Sequence, residues 1–288
     1  MSKVYFGRAG RAGPSDIRAR MPELAPLSNA TICVFGLGCL GAPSALEFAR
    51  CGVRELRVLD HDFVDPATIC RWPLGIQSAG LQKADALTRF IAREYPFTEI
   101  VGASYYLGAV RDTDDPGTSG QDAMRQFTEG ASLIYDATAE VGIQHYLCDY
   151  AADLGIPYIG VDATPGGWGG RVIRIAPGST AGCYYCYRCA QANDFIPNPP
   201  MDAEGEIQPV GCADPTFTGA SFDMVQVALM AVRMAVSTLC AREPRGYPAA
   251  GWDVTIISLR DCDGGMILPH YQGFQIERNP ECSRCNRE

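Results

Sequence analysis

The stretch Thr31-Ile-Cys-Val-Phe-Gly-Leu-Gly-Cys-Leu-Gly41 decides the fold of this chain. Its first five residues form an apolar run that predicts a buried strand, and the glycines mark a turn into a helix predicted over residues 42–51. Glycines at this spacing let a backbone approach phosphate groups, and the helix N-terminus supplies oriented N–H donors. On its own the motif indicates only nucleotide binding, and a NAD-binding domain is its commonest setting.

Outside this stretch, apolar runs of strand length alternate with segments of helical periodicity. The alternation predicts an α/β fold with a doubly wound, mostly parallel sheet, as in Rossmann-like domains. Asp60, Asp136 and Asp162 each come just after a predicted strand, at the edge where such sheets bind ligands. Further strands are predicted over residues 55–59, 99–107, 131–135, 157–161, 171–175 and 254–259, and helices over 15–23, 81–95, 143–154 and 222–240.

The composition excludes several classes of protein. With 24 Lys plus Arg against 33 Asp plus Glu, the net charge of −9 argues against a nucleic-acid partner. The apolar residues 222–240 include Asp223, Gln226 and Arg233, so we expect a buried helix and no membrane partner. The 13 cysteines are too unevenly placed for a secreted disulfide scaffold, and no signal-like run is visible, so we expect a cytoplasmic protein.

Two cations follow the acidic residues Asp60 and Asp62. Arg71 lies in the next segment, and Lys83 lies near the start of the following predicted helix. A triphosphate needs such charges in addition to backbone dipoles. A nicotinamide dehydrogenase would need no such pair, and it would need a hydride-transfer site that we do not find. The alternative is that both are ordinary surface cations.

From about Thr31 to Cys285 the sequence resembles the ubiquitin-activating-type adenylyltransferases, which include the ThiF/MoeB-type activators of sulfur-carrier proteins. The resemblance is carried by the glycine loop, by Cys51-Gly-Val-Arg-Glu-Leu56 and by Leu59-Asp-His-Asp-Phe-Val64. It implies that ATP adenylates the C-terminal carboxylate of a small β-grasp protein ending in Gly-Gly. It also implies an ATP site in which Asp60 holds the ribose, Arg71 and Lys83 bind the phosphates, Mg²⁺ lies by Asp136, and the other members are Gly36, Gly38, Gly41 and Asp62.

The sequence departs from the family pattern at two places. Thr68-Ile-Cys-Arg-Trp72 stands where the family usually has Asn-Leu-x-Arg-Gln. Asp136-Ala-Thr-Ala-Glu140 stands for Asp-x-x-Asp-Asn, so the second acid of that motif falls on Ala139. Either Asp136 or Glu140 lies near Mg²⁺, or metal binding is altered, and Asp136 could instead cap the next helix. A catalytically inactive, dimerising scaffold is a further alternative.

Two Cys-x-x-Cys pairs predict a structural Zn²⁺ site. Each pair supplies two thiolates from one turn, and four thiolates complete a tetrahedron. Redox dithiols or buried packing are the alternatives. Cys189 forms a rival pair with Cys186, and we favour Cys183 because it follows the Pro177-Gly turn most closely. The predicted ligands are Cys183, Cys186, Cys282 and Cys285.

Cys212 is the candidate nucleophile. It lies in Val210-Gly-Cys-Ala213, a stretch similar to the one that carries the catalytic cysteine in compact activating enzymes of the resembling family. Attack on the acyl-adenylate would give a thioester for transfer to an E2-like conjugating enzyme. The alternative is a loop cysteine without a role. The family is usually a homodimer in which an N-terminal arginine reaches the neighbour's ATP, and the candidates are Arg8, Arg11, Arg18 and Arg20.

The predicted organisation is an N-terminal arm over residues 1–29 and an adenylation domain over residues 30–288. Within the domain we expect a crossover loop at 187–220 and a zinc-binding tail at 276–288. Two other functions stay open. One is adenylation of a small peptide in natural-product biosynthesis without a thioester, and the other is a NAD(P)-linked reductase.

Overall fold

The structure is a computed structural model that describes residues 10, 13–108, 117–208, 216–241 and 243–286. Short 3₁₀ helices lie at Pro22–Asn29, Pro66–Cys70, Ile76–Ser78 and Pro165–Gly167. The other elements, in chain order, are α1 Pro14–Arg18, β1 Thr31–Phe35, α2 Gly41–Arg50, β2 Glu55–Leu59, α3 Lys83–Glu94, β3 Glu99–Ala103, α4 Gly120–Thr128, β4 Leu133–Asp136, α5 Val141–Leu154, β5 Tyr158–Ala163, β6 Gly169–Ile175, α6 Tyr184–Ala192, β7 Glu206–Ile207, β8 Thr216–Phe217, α7 Ser221–Cys240, β9 Val254–Arg260 and β10 Met266–Phe274.

One eight-stranded sheet organises the molecule, with the strand order β10-β9-β6-β5-β4-β1-β2-β3. Strands β1 to β5 run parallel to one another, while β6, β9 and β10 pair antiparallel with their neighbours, β6 with β5 among them. Phe35 is in register with both Leu59 and Asp136, so β1, β2 and β4 end at one level. The prediction of a doubly wound, mostly parallel sheet is confirmed.

Strand β1 lies inside the parallel part of the sheet, between β4 and β2, where both of its faces are covered. All five of its residues are buried, as expected for such a parallel strand. Alternate residues face opposite sides: Ile32 and Val34 pack in one apolar core, and Cys33 and Phe35 in the other. Helices α2, α3 and α7 cover the first face, and α4, α5 and α6 cover the second.

Helix α7 packs against α2 and against strands β5 and β6. It is the one helix in the described part of the chain that is long and apolar enough to cross a membrane, and half of its apolar window is buried inside the protein. Its contacts with the sheet are those of a core helix, as the charged residues within it led us to expect.

The structure differs from the predicted elements at several places. Strand β10 is absent from the prediction because it contains Pro269 and Gly273 and shows no apolar alternation. Helices α4 and α6 are also absent from the prediction. Strand β3 ends at Ala103 rather than at residue 107. Leu27 is fully buried against the core, so this part of the predicted N-terminal arm packs with the main body of the protein.

Candidate nucleotide site and cysteine cluster

The glycine loop between β1 and α2 is held by its own tight packing. Gly36 has a φ of +81°, and a Cβ there would lie 2.8 Å from the backbone of Ala137. A Cβ on Gly41 would lie 1.8 Å from the carbonyl oxygen of Gly36. Both glycines are therefore needed for the protein's own conformation, whatever binds beside the loop.

Gly38 differs from both, because no atom beyond its own residue and its two chain neighbours lies within 4 Å of the position that its Cβ would occupy. It lines a cavity of about 190 Å³ at the carboxyl edge of the sheet, beside the start of α2. Other residues around this cavity are Thr68, Arg71, Lys83, Thr138 and Thr216. The open space over Gly38 and the N-terminus of α2 suit an anionic group.

Asp60 fixes the glycine loop from the end of β2. Its Oδ2 accepts a hydrogen bond of 2.6 Å from the backbone N–H of Leu37, and its Oδ1 accepts one of 2.8 Å from Asp62 N. The carboxylate is buried. Asp60 therefore shapes the loop, and a ribose hydroxyl would have to share an oxygen that a backbone donor already occupies.

Lys83 lies at the cavity and is paired with both predicted acids. Its Nζ is 2.7 Å from Asp62 Oδ2 and 3.9 Å from Asp60 Oδ2. Partial burial would raise the pKa of Asp62, but the hydrogen bond and charge of Lys83, with a smaller effect of His61, hold that pKa below its usual value. The lysine is thus a preplaced cation beside the glycine loop.

Arg71 connects the segment after β2 to β8. Its guanidinium donates to Thr216 Oγ1 at 2.8 Å and to the carbonyl oxygen of Phe217, and it lies 5.2 Å from the centroid of the Phe217 ring. The structure therefore brings Arg71, Lys83 and the glycine loop to one cavity. The contacts of Arg71 with β8 had no signal in the sequence.

Trp72 supports the glycine loop from below. The indole is buried, and its Nε1 donates a hydrogen bond of 2.8 Å to the carbonyl oxygen of Leu37. In the sequence alone, this residue is only a departure from the family pattern. In the structure it holds the loop directly.

Asp136 does not line the cavity. It is fully buried, with Oδ1 accepting from Thr138 N and Oγ1 at 2.9 and 2.7 Å, and Oδ2 accepting from the Tyr158 hydroxyl at 2.9 Å. Burial raises the pKa of Asp136 to about 6, against the lowering effect of these hydrogen bonds. The following helix α5 is capped instead by Glu140, whose side chain accepts from Ile143 N at 3.0 Å.

Among the described residues that line the cavity there is no carboxylate, so the wall itself offers no acidic ligand for the predicted Mg²⁺. Ala139, which lines the cavity, has a φ of +57°, a conformation that aspartate and asparagine adopt more readily than alanine. Beside the cavity, Asp60, His61 and Asp62 bring their ligand atoms within 4.8 Å of one another, but Lys83 already pairs with both carboxylates, so no chemical step is assigned to Mg²⁺.

The four predicted zinc ligands meet in one cluster. Their Sγ atoms all lie within 4.8 Å of one another, and three Sγ–Sγ distances are 3.6, 3.7 and 3.8 Å. A tetrahedron with Zn–S bonds of about 2.3 Å has edges of about 3.8 Å, so the cluster fits Zn²⁺. The cluster joins the start of α6 to the C-terminal tail, and its members are Cys183, Cys186, Cys282 and Cys285.

Backbone donors around the cluster favour thiolates. Asn279 N donates to Cys186 Sγ, and Cys285 N donates to Cys282 Sγ, both at 3.4 Å. Burial would raise the pKa of Cys282, yet backbone N–H donors and neighbouring sulfur atoms lower it to about 7. Cys189 is not among the cysteines that the structure brings together in this cluster.

The remaining predicted residues divide into two groups. Arg18 and Arg20 are exposed, and Arg20 donates to the carbonyl oxygen of Asp16 at 2.8 Å. Cys212, Arg8 and Arg11 lie outside the described residues. Cys212 precedes Thr216 by four positions in the sequence, and Thr216 lines the cavity.

A sequence model of the ThiF family matches residues 15–253. The chain belongs to the ThiF family. The molybdopterin-synthase adenylyltransferase of Salmonella typhimurium is 29% identical over 168 residues, which cover 57% of this chain and 59% of that protein. Membership of the ThiF family favours an adenylyltransferase over the NAD(P)-linked reductase that the glycine loop alone allowed.

One further relative in sequence and one solved structure are similar to this ThiF-family chain. Protein y4qC of Sinorhizobium fredii (strain NBRC 101917 / NGR234) is 36% identical over 282 residues, which cover 94% of this chain and 46% of y4qC. The chain thus spans less than half the length of that relative. A crystal structure of E. coli MccB with ATP has the same fold, with a TM-score of 0.65 at 16% identity over 92% of this chain and 69% of that one.

Proposed function

We propose that this protein is an ATP-dependent adenylyltransferase that activates the C-terminal carboxylate of a carrier protein or peptide. The observation that carries the proposal is the cavity in which the open Gly38, the start of α2, Arg71 and Lys83 come together. Membership of the ThiF family and the adenylyltransferase names among its relatives support it.

The reaction requires the site to hold a polyphosphate while a carboxylate attacks it. A carboxylate oxygen forms a bond to the α-phosphorus of ATP, the bond from that phosphorus to the β-bridging oxygen breaks, and pyrophosphate leaves with the bond's electron pair. Backbone N–H groups at the start of α2 and the charges of Arg71 and Lys83 would stabilise the negative charge that develops on the phosphate oxygens. Asp60 keeps the loop in the required shape through Leu37 N.

For the substrate we favour a ubiquitin-like or sulfur-carrier protein with a C-terminal glycine. The support comes from relatives at 25 to 29% identity that are named adenylyltransferases of the molybdopterin-synthase or sulfurtransferase type. A short peptide is the second candidate, because crystal structures of MccB, which shares the fold, were solved with MccA. Both candidates present a terminal carboxylate to the same cavity.

After adenylation we propose thioester formation on Cys212 and transfer to an E2-like conjugating enzyme, with a homodimer as the working unit. The thiolate would attack the acyl carbon, the bond from that carbon to the AMP oxygen would break, and AMP would leave. Support for Cys212 is its place in the sequence, four positions before the cavity residue Thr216.

Exchange of labelled pyrophosphate into ATP tests the first step. We expect exchange only with the correct carrier or peptide, and its loss in Lys83→Ala, with the exposed Arg125→Ala as a matched control outside the cavity. Thermal stabilisation by NAD but not by ATP would refute the proposal. A nonreducing gel tests the second step: a thiol-sensitive adduct should vanish in Cys212→Ala and persist in Cys189→Ala.

A further inference from the structure

Buried hydrogen bonds run from the cavity wall into the second apolar core. Thr138 lines the cavity, and both its N–H and its hydroxyl donate to Asp136 Oδ1. The other carboxylate oxygen accepts from the Tyr158 hydroxyl at 2.9 Å. Burial and the adjacent carboxylate raise the pKa of Tyr158 well above its usual value, so the hydroxyl keeps its proton and acts as the donor. The place of Thr138 thus depends on a carboxylate that Tyr158 holds from the other side.

Gly160 makes room for the Tyr158 ring. It is the register partner of Asp136 in the adjacent strand. A Cβ on Gly160 would lie 2.7 Å from the Tyr158 hydroxyl oxygen and 3.0 Å from its Cε1, which is closer than side chains approach one another. The backbone of Gly160 does not have a positive φ. The glycine is therefore required by the tyrosine ring above it and not by its own backbone.

Helix α6 closes the other side of the ring. Tyr184 is buried, and its ring meets that of Tyr158 edge to face with centroids 6.3 Å apart. The Tyr184 hydroxyl donates to Gln144 Oε1 at 2.5 Å, which fixes the ring. Tyr184 directly follows Cys183, so the cysteine cluster anchors the helix at the point where it contacts Tyr158.

We propose that Tyr158 is a positioning residue for the nucleotide cavity: seated by Gly160 and Tyr184, it holds Asp136, and Asp136 holds Thr138 in the cavity wall. Tyr158 itself does not line the cavity. The inference rests on the proposed function in one respect, since it takes the nucleotide to be ATP.

Calorimetric titration with ATP tests the assignment on the full chain. Tyr158→Phe removes the hydroxyl alone, and Gly160→Ala displaces it. Both should raise the Kd for ATP about tenfold, the loss expected for one buried hydrogen bond. Tyr150→Phe is the matched control, because it loses a hydroxyl that bonds to Thr128 Oγ1, away from the cavity, so its Kd should stay within about twofold of wild type. In turnover, Tyr158→Phe should raise KM for ATP and leave kcat nearly unchanged.

A second readout does not depend on ATP. The N–H of Thr138 donates to Asp136, so its hydrogen exchange should be faster in Tyr158→Phe and unchanged in Tyr150→Phe. An unchanged Kd and an unchanged exchange rate, with only a lower melting temperature, would make Tyr158 a packing residue and overturn the inference. If wild type binds no ATP, the proposed function fails, and the exchange rate alone decides the positioning role. If Gly160→Ala does not fold, Tyr158→Phe decides alone.

Discussion

The Trp72 indole donates a hydrogen bond of 2.8 Å to the carbonyl oxygen of Leu37, on the glycine loop. Leu37 also donates its N–H to Asp60, so one residue of the loop is held from two sides. The shape of the nucleotide cavity thus depends on two side chains that come from outside the motif.

We expect Trp72→Phe to lower the free energy of unfolding by about 2 kcal/mol, because the buried Leu37 carbonyl loses its partner. It should also weaken ATP binding. Urea unfolding and calorimetric titration measure the two effects. Trp252→Phe is the control, since it too loses an indole hydrogen bond, to Thr255, but outside the cavity. Equal ATP affinities in the two variants would contradict the role given to Trp72.

Gly38→Ala should impair ATP binding, whereas Gly41→Ala should impair the stability of the fold. The methyl group at residue 38 meets open space, so the free energy of unfolding should change by less than about 1 kcal/mol. ATP binding should weaken about tenfold, because the methyl group projects into the cavity where the phosphates are proposed to lie. A methyl group at residue 41 would clash with the Gly36 carbonyl oxygen, so Gly41→Ala should have a lower melting temperature than wild type. Thermal unfolding followed by circular dichroism measures the stability of both variants, and the shift in melting temperature on adding ATP measures nucleotide binding. Full ATP affinity in Gly38→Ala would place the phosphates elsewhere.

Asp136 predicts a pH dependence of stability. Its pKa in the folded protein, about 6, exceeds the ordinary value of 3.8, so the folded state binds more protons between these values, and stability falls as pH rises through that window. Relative to Asp136→Asn, wild type should lose about 2 kcal/mol of unfolding free energy between pH 4 and pH 7. Urea titrations of both proteins across this range measure the difference. A difference that stays constant with pH would show that Asp136 is charged throughout.

The cysteine cluster predicts one zinc ion per chain. Chelation should lower the unfolding free energy by about 4 kcal/mol, the value for a ligand present at a thousand times its Kd. Elemental analysis should find zinc lost in Cys282→Ser and retained in Cys189→Ser, because only Cys282 belongs to the cluster. Because α6 also carries Tyr184, the metal-free protein should bind ATP more weakly. Equal loss of zinc in both variants would contradict the assignment of Cys282, rather than Cys189, as a zinc ligand.

Ala139→Asp would place a carboxylate at the cavity in a backbone conformation that aspartate tolerates. Stability should change by less than about 1 kcal/mol, and Mg²⁺ should now tighten ATP binding by about fivefold, as for a contact of about 1 kcal/mol. Titrations with and without Mg²⁺ measure the effect. Ala139→Asn has the same shape without the charge and should show no such gain. The same gain in both variants would exclude a role for the carboxylate.

Much of the fold could be predicted from the sequence, because its central strands are short apolar runs that end at glycine or aspartate. The bounds of β1 and β2 match the predicted ones, and the four cysteines of the predicted zinc site do meet. These features depend on local pattern or on ligand chemistry.

The supports of the site could not be predicted, because they depend on contacts between distant segments. Trp72 reaches a carbonyl 35 residues away, and Arg71 bonds to Thr216, 145 residues away. Gly160 looks like any glycine in a strand until the Tyr158 ring is placed over it. Asp136 was expected near a metal, yet its neighbours turn it into the core, where it holds Thr138.

Strand β8 and the nucleotide compete for the guanidinium of Arg71. Its guanidinium already donates to both residues of β8, so a phosphate that takes the same N–H groups must displace them. The two equilibria are then reciprocal: any change that tightens Arg71 on β8 weakens phosphate binding by the same factor, and a bound phosphate weakens the hold on β8 equally. Substitutions at Thr216 would therefore alter nucleotide affinity through the position of Arg71.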